Sequence, residues 1–177
     1  MRVLLVLLVV LLSSHFLINE REVVLNRKII SVSGQTSLGG FNCDYSKKDL
    51  KDTLFFEPQS KKGDIVFDIP VQEFSCGNFL LNKDFRKTIK ADEYPKCRVR
   101  VANLKPGAKH YTCDLTVNLV GKRLHFPDFR LVRNTEGLKG NLMLSFEELE
   151  LKAPQKLGGL VKVEEELKLE IFLGFAP

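Results

Sequence analysis

The chain has 177 residues, which is one domain's worth of sequence and long enough to bury a sizeable core. Its formal net charge is +5, from 27 basic and 22 acidic side chains. Lysines and acids are interspersed, as in residues 47–52, which is typical of a solvated turn rather than of a binding patch. The size of the chain therefore requires no second domain. The charge pattern, together with the export signal described next, excludes a nucleic-acid partner.

The start of the chain has the features of a secretory signal. A charged N-terminus precedes the apolar run 3–12, and Ser13 and Ser14 supply small residues for cleavage. Apolar character resumes at 15–18, so an uncleaved anchor is the alternative, although the run is shorter than the roughly 20 residues that span a bilayer. We predict an exported protein, periplasmic or extracellular, divided into a signal at 1–14, a connector at 15–26 and one domain at 27–177.

Strand patterns dominate the first half of the domain. The first of them stops at Gly34, and its inward face is ambiguous because apolar residues are adjacent in it. In the second, Gly39 and Gly40 permit the sharp bend or bulge that a barrel corner requires. The predicted strands are 27–33, 36–45, 53–57 and 65–71.

One helical insert interrupts the strands between Phe74 and Val101. Asn78 or Asn82 can cap its start, and Pro95 ends it because the residue before a proline is pushed out of the helical region. The insert is predicted to be a lid or plug between strands. Its apolar residues recur every four positions and so share one helical face: Leu81, Phe85 and Ile89.

The second half of the domain returns to strands. Pro106 and Gly107 form a turn signal between two patterns that should be antiparallel neighbours. The last segment fits a helix at a few positions but fits strict alternation over a longer stretch, so it is predicted as a strand. These strands are 97–104, 110–120, 124–132 with an interruption at Pro127, 138–151 and 160–175.

About eight or nine antiparallel strands with short turns predict an all-β fold, an antiparallel up-and-down barrel with one helical insert. Closure removes the exposed edges that such long strands would otherwise offer. An interior of about eight strands is either filled by side chains or holds one slender ligand.

The four cysteines form an even set in a chain predicted to be exported, which favours two disulfides. None lies within a helical turn of another, so their spacing argues against zinc. Three connectivities are possible. We predict Cys43–Cys76, which ties the glycine-rich bend to the insert, and Cys97–Cys113, because these two share the apolar face of adjacent strands.

Catalytic and metal-binding patterns are lacking in the sequence. His110 and His125 lie in strand and turn contexts without a partner motif. Glu148 and Glu165 fall at inward-facing positions of their predicted strands. A water-exposed position at the rim, or a local bulge, is the preferred interpretation, because a buried acid needs a partner. We predict no catalytic residue, no metal site, no cofactor and no enzymatic activity.

The apolar faces of the strands converge beneath the insert and predict a binding module. Each buried methylene contributes about 0.8 kcal/mol, so a long apolar lipid needs few polar contacts, and a location at the membrane periphery suits such a ligand. The alternative is a barrel filled by its own side chains, acting as a structural or protein-interaction module of the envelope. The predicted interior residues are Phe67, Ile69, Phe79, Leu80, Phe85, Ile89, Val99, Val101, Leu115, Val117, Leu142, Leu144, Phe146, Leu169 and Ile171.

The sequence resembles the YceI-like proteins of bacterial envelopes. The matching motifs are Gly34-Gln35-Thr36, Gly40-Phe41, Tyr94-Pro95, Leu115-Thr116-Val117 before a Gly-Lys turn, and Leu157-Gly158-Gly159 leading to Val163-Glu164-Glu165. The resemblance implies a lipocalin-like barrel that holds a polyisoprenoid or another long lipid. The chain departs from the family's Arg-Asp-x-His-Leu motif in its shorter insert, where it retains Asp84 and lacks the histidine.

Overall fold

The computed structural model describes residues 22–55 and 64–176, so the predicted signal and most of the predicted connector lie outside the described residues. The described elements, in chain order, are β1 (Glu22–Thr36), β2 (Gly39–Phe55), β3 (Ile65–Pro70), α1 (Phe79–Thr88), β4 (Lys96–Pro106), β5 (His110–Leu119), β6 (Lys122–Arg133), β7 (Gly137–Ser145), β8 (Gln155–Lys156) and β9 (Val161–Phe175). No helix among them is both long and apolar enough to cross a membrane.

The strands form a single antiparallel sheet that curls into a nearly closed barrel. Neighbours follow the order β2-β1-β9-β7-β6-β5-β4-β3, and the short β8 pairs with β9 outside this path. Strand β9 joins the N-terminal hairpin to β7, because it pairs with β1 on one side and with β7 on the other. The predicted all-β barrel with one helical insert is confirmed.

The seam of the barrel lies where the two ends of the sheet meet, at β2 and the segment after β3. Asp44 and Ser75 exchange two backbone hydrogen bonds there, each 2.9 Å between nitrogen and oxygen. The neighbouring residues, Cys43 and Cys76, form the predicted disulfide. The seam is therefore held by one isolated β-bridge and one covalent cross-link instead of a ladder of strand pairs.

Strand β2 is longer than the sequence pattern indicated. It continues as a strand through the charged stretch 47–52, which was predicted as a turn, and pairs with β1 up to the Glu22–Phe55 pair. The pairing is irregular within this stretch, because Arg27 pairs with Lys48 but Leu25 pairs with Asp52. Beyond Asp44 it runs at the sheet's edge, where charged side chains are common because they oppose unwanted strand pairing. Strand β1 in turn begins at Glu22, inside the predicted connector.

Strand β7 is shorter than predicted, because the chain turns after Ser145 instead of continuing to Leu151. Two acids hold this turn. The backbone N–H of Ser145 donates to Glu148 Oε2 at 2.8 Å, and that of Glu147 donates to Glu165 Oε1 at 2.7 Å. Both carboxylates are exposed, so neither is a buried acid of the barrel interior.

The predicted Cys97–Cys113 disulfide is wrong, since both cysteines are free and buried. They do share the inward face, but the register separates them. Val99 pairs with Val117, so Cys97 lies opposite Leu119, six residues from Cys113 along β5. Six strand residues span about 20 Å, whereas a disulfide needs Cα atoms within about 7 Å.

Burial makes both free thiols unreactive. It raises the pKa of Cys97 to about 12 and that of Cys113 to about 12, with smaller contributions from Asp68 and Asp114 respectively. We expect a maleimide to label neither thiol in the folded protein at neutral pH, and to label both once the protein is unfolded without reductant.

The same shifts predict the direction of a pH dependence. A folded-state pKa above the ordinary value of 9.0 means that the folded protein holds these protons more tightly than the unfolded chain does. The contribution of the two protonated thiols to the free energy of unfolding is fully present below pH 9 and is lost as the pH rises toward 12.

The labelling experiment also has an outcome that would contradict this description of the two thiols, namely fast labelling of the native protein by the maleimide at neutral pH.

Candidate functional site

Helix α1 covers one end of the barrel and is fixed there at its start. Asn78 is the N-cap, because its side-chain oxygen accepts a hydrogen bond from the Leu81 N–H at 2.9 Å. Asn82 has a different role, since its Oδ1 accepts from the Cys76 N–H at 2.6 Å. The helix is thereby tied to the disulfide at the seam.

One face of α1 packs inward. Phe85 is half-buried, and its ring centroid lies 5.3 Å from that of Phe74, which in turn lies 5.8 Å from Tyr45. Ile89, at the C-cap, is 7% exposed, and Leu81 lies at the margin with 39% exposure. The face predicted from the four-residue spacing is therefore the one that covers the barrel.

Two apolar cavities lie beneath this face. The outer one has a volume of about 180 Å³ and the inner one about 70 Å³. The outer cavity extends toward Thr36, Phe41 and Val163, whereas the inner one extends into the barrel toward Val99 and Val117. Both are lined by the same five side chains at their junction, which are Val32, Phe85, Ile89, Phe146 and Leu167.

The other half of the barrel is packed with side chains. Leu138 is 0% exposed and Leu115 is 1% exposed, and neither borders the two cavities. Lys28 is also buried there, with its Nζ 4.4 Å from the centroid of the Phe67 ring, a distance typical of a cation–π contact. Among the described residues, the two apolar cavities thus lie at the end that α1 covers, and the side chains named here pack the other half.

The predicted interior residues divide into three groups. Those that border the cavities are Ile69, Phe85, Ile89, Val99, Val117, Leu144, Phe146, Leu169 and Ile171. Those that are buried in the packed half are Phe67, Val101, Leu115 and Leu142. The prediction is wrong for Phe79 and Leu80, which are 77% and 70% exposed. At about 100° per residue they point away from the face of Leu81, Phe85 and Ile89.

Val32 and Leu167 are central lining residues that were absent from the predicted set. Val32 lies on the strand whose inward face was ambiguous, because Ile29 and Ile30 are both apolar. Leu167 belongs to the alternating pattern of the last strand, so that pattern already contained the signal for it. The two side chains come from neighbouring strands, since β1 and β9 pair.

The mouth of the outer cavity is polar. A solvent-facing vestibule of about 480 Å³ shares Asp84, Thr88 and Pro154 with the cavity, and its other side chains include Lys87, Lys90 and Lys152. Glu150 also lines the vestibule, and a hydrogen bond from Lys122 holds the pKa of its carboxyl below the usual value. A ligand in this site would place an apolar part inside and a polar part among lysines.

The two histidines of the described residues, His110 and His125, lie outside the cavities. His125 is exposed, with its Nδ1 3.3 Å from the Thr116 hydroxyl, and the half-buried His110 has its Nδ1 3.5 Å from an Arg130 nitrogen. Within residues 22–55 and 64–176, no three His, Cys, Asp or Glu side chains form a group that would hold a metal ion.

Comparison with known proteins places the fold. No family model matches the sequence, and no curated protein matches it. Among solved structures, BcnA from Burkholderia cenocepacia is similar with a TM-score of 0.61 and 17% identity, over 85% of this chain and 96% of that one. A polyisoprenoid-binding domain from Saccharophagus degradans, implicated in plant cell wall breakdown, is similar with a TM-score of 0.56 and 13% identity, over 89% of this chain and 99% of that one.

A YceI protein of Campylobacter jejuni is also similar, with a TM-score of 0.53 and 12% identity, over 69% of this chain and 78% of that one. At these identities the likeness concerns the fold. The resemblance to YceI-like proteins that the sequence motifs indicated is confirmed at that level, and the chain has the YceI-like barrel fold.

Proposed function

We propose that this chain is a divergent YceI-like protein that binds a slender apolar lipid in the cavities beneath α1, without catalysing a reaction. The observation that supports this most directly is the pair of adjoining apolar cavities at one end of an otherwise packed barrel. Side chains close-pack a protein interior unless another molecule fills the space, and apolar pockets with a few polar groups at the mouth are typical ligand sites.

The cavity volumes restrict the ligand. Each cavity is smaller than the roughly 300 Å³ at which small-molecule pockets usually begin, so the described conformation accommodates a narrow segment of chain. A polyisoprenoid is the first candidate, because one structural neighbour is described as a polyisoprenoid-binding domain. A fatty acyl chain belongs to the same wider class.

Export is part of this proposal. Disulfides persist in oxidising compartments, and the Cys43–Cys76 cross-link at the seam is suited to one. The apolar leader of the sequence supports the same location in the periplasm or outside the cell.

The packed half of the barrel supports a second candidate function. Leu115, Val101 and Leu142 fill the interior that a long ligand would otherwise occupy. A barrel that also closed its two cavities by small side-chain movements would act as a structural or protein-interaction module of the envelope.

A matched pair of substitutions distinguishes the two functions. Leu144 is 5% exposed and borders the inner cavity, whereas its neighbour Met143 is 54% exposed on the outer wall of the same strand. We expect Leu144→Trp to obstruct the cavity and to abolish binding of farnesol and geranylgeraniol measured by titration, while Met143→Trp leaves both affinities unchanged. The smaller replacement Leu144→Phe serves if the tryptophan variant does not fold.

A filled barrel predicts a different result. The wild-type protein would bind neither alcohol, and organic extraction of protein purified from its own cell envelope would yield no stoichiometric lipid by mass spectrometry. That outcome would reject lipid binding in favour of the structural module.

A further inference from the structure

The inner cavity ends, on the side away from α1, at a layer of buried side chains. On six strands the next inward-pointing residue lies two positions beyond the last lining residue, and it is buried and borders neither cavity. On β1, for example, the lining ends at Ile30, and the next inward residue is Lys28. We call these residues the floor. They are 1–8% exposed: Lys28, Phe67, Val101, Leu115, Leu142 and Leu173.

Strand pairing places floor residues at common levels of the sheet. Lys28 pairs with Leu173, and Val101 pairs with Leu115. Above this level, the lining residues of β1 lie within 30–36, which is about 20 Å of strand. A chain that enters beside α1 therefore has a limited depth of cavity before it meets the floor.

The layer is filled beside β7 as well, at a position that has no side chain of its own. Gly140 precedes Leu142 by two positions on the same face, and it pairs with Ile171, the last lining residue of β9. A Cβ added to Gly140 would lie 2.5 Å from a ring carbon of Phe129, which is 9% exposed. The Phe129 ring therefore occupies the space that a side chain at Gly140 would need.

Lys28 gives the floor a charged group. Its Nζ lies 4.4 Å from the centroid of the Phe67 ring, so these two floor residues connect β1 with β3 through a cation–π contact. The carboxylate of Asp68 attracts the same charge, since a hydrogen bond from Arg98 lowers the pKa of Asp68 and Lys28 adds to this shift. A chain that passed the floor would have to separate a buried ammonium from these groups, and an apolar chain offers no replacement for them.

We propose that the floor sets the length of the chain that the cavity accepts, and that the protein favours a short isoprenoid, of about farnesyl length, over a long one. This selection rests on the proposed lipid-binding function, and it adds the residues that limit chain length. The surplus carbons of a longer chain would stay in water at the mouth of the outer cavity. Because burial of apolar surface provides the affinity, those carbons would add none.

Titration of the wild-type protein with geraniol, farnesol and geranylgeraniol tests this limit, because each alcohol is one isoprene unit longer than the one before. We expect the affinity to rise about tenfold or more from geraniol to farnesol, since the added unit is buried. From farnesol to geranylgeraniol we expect a change of less than about threefold, since the added unit remains in water.

Lys28→Ala opens the floor, since it removes a buried side chain together with its charge. We expect this variant to bind geranylgeraniol about tenfold more tightly than the wild-type protein does, with little change for farnesol. If the lysine variant does not fold, Leu115→Ala opens the floor on β5, with the same expected result. Lys168→Ala is the matched control, because it removes an exposed lysine from the outer face of β9, and we expect it to keep the wild-type pattern.

Three results would overturn the length limit: a wild-type affinity that keeps rising from farnesol to geranylgeraniol, a folded floor variant with the wild-type pattern, or an equal gain for geranylgeraniol in Lys168→Ala. Each of them leaves the proposed lipid-binding function intact, because farnesol still binds. A wild-type protein that binds none of the three alcohols rejects that function itself, and the length limit with it.

Discussion

Removing the Cys43–Cys76 disulfide is expected to lower the free energy of unfolding by about 3 to 4 kcal/mol in the chain-entropy model. The cross-link closes a loop of 33 residues, and its loss releases that constraint in the unfolded chain. The disulfide also stabilises the seam locally, because it lies directly beside the Asp44–Ser75 bridge. Urea denaturation of Cys43→Ala with Cys76→Ala measures the loss.

The two free cysteines provide a matched control for this experiment. Cys97→Ala with Cys113→Ala also removes two buried sulfur atoms but breaks no cross-link. The difference between the two double variants therefore isolates the covalent contribution. Equal losses in the two would contradict a seam that depends on the disulfide.

Replacing Leu138 by alanine is expected to cost about 3 to 5 kcal/mol, whereas replacing Leu144 should cost about 2 kcal/mol. Both are leucines on the inward face of β7, with exposures of 0% and 5%. Leu138 is in the packed half, so its truncation opens a new void among close-packed neighbours. Leu144 borders the inner cavity and already lacks contact partners on one side.

Thermal or urea unfolding of the two variants measures this difference, and added farnesol extends the test. A ligand that enters the enlarged cavity of Leu144→Ala raises the apparent stability of that variant by mass action. Leu138→Ala gains no more from farnesol than the wild-type protein does. Equal costs at the two positions would mean that the interior is uniformly packed.

The sequence predicted those features that depend on periodicity alone. Val99 and Val117 were placed in the interior because side chains alternate along a strand, and Phe85 and Ile89 because four-residue spacing marks one helical face. Phe79 and Leu80 were predicted to be in the interior because they are apolar. The same helical geometry instead places them away from the face of Phe85 and Ile89, and both are exposed.

Features that depend on register or volume were beyond the sequence pattern. Cys97 and Cys113 both point inward, as a disulfide between them would require, but strand pairing places Cys97 opposite Leu119. The pairing of β4 with β5 also shifts register between Ala102 and Lys105, which lies between the two cysteines. The pattern also gives Leu115 and Leu144 the same interpretation, although one is in the packed half and the other beside a cavity. Packing density is set by all the neighbours together and not by one strand.

The location of a bound chain is the most direct test of the proposed cavity. A farnesol analogue with a diazirine at its apolar end would be photolysed in complex with the wild-type protein, and the labelled residues identified by mass spectrometry. We expect labels on the inner cavity, at Val99, Val117 or Ile171, and their loss when unlabelled farnesol competes. Labels confined to the outer wall, at positions such as Val66 or Met143, would contradict a ligand held beneath α1.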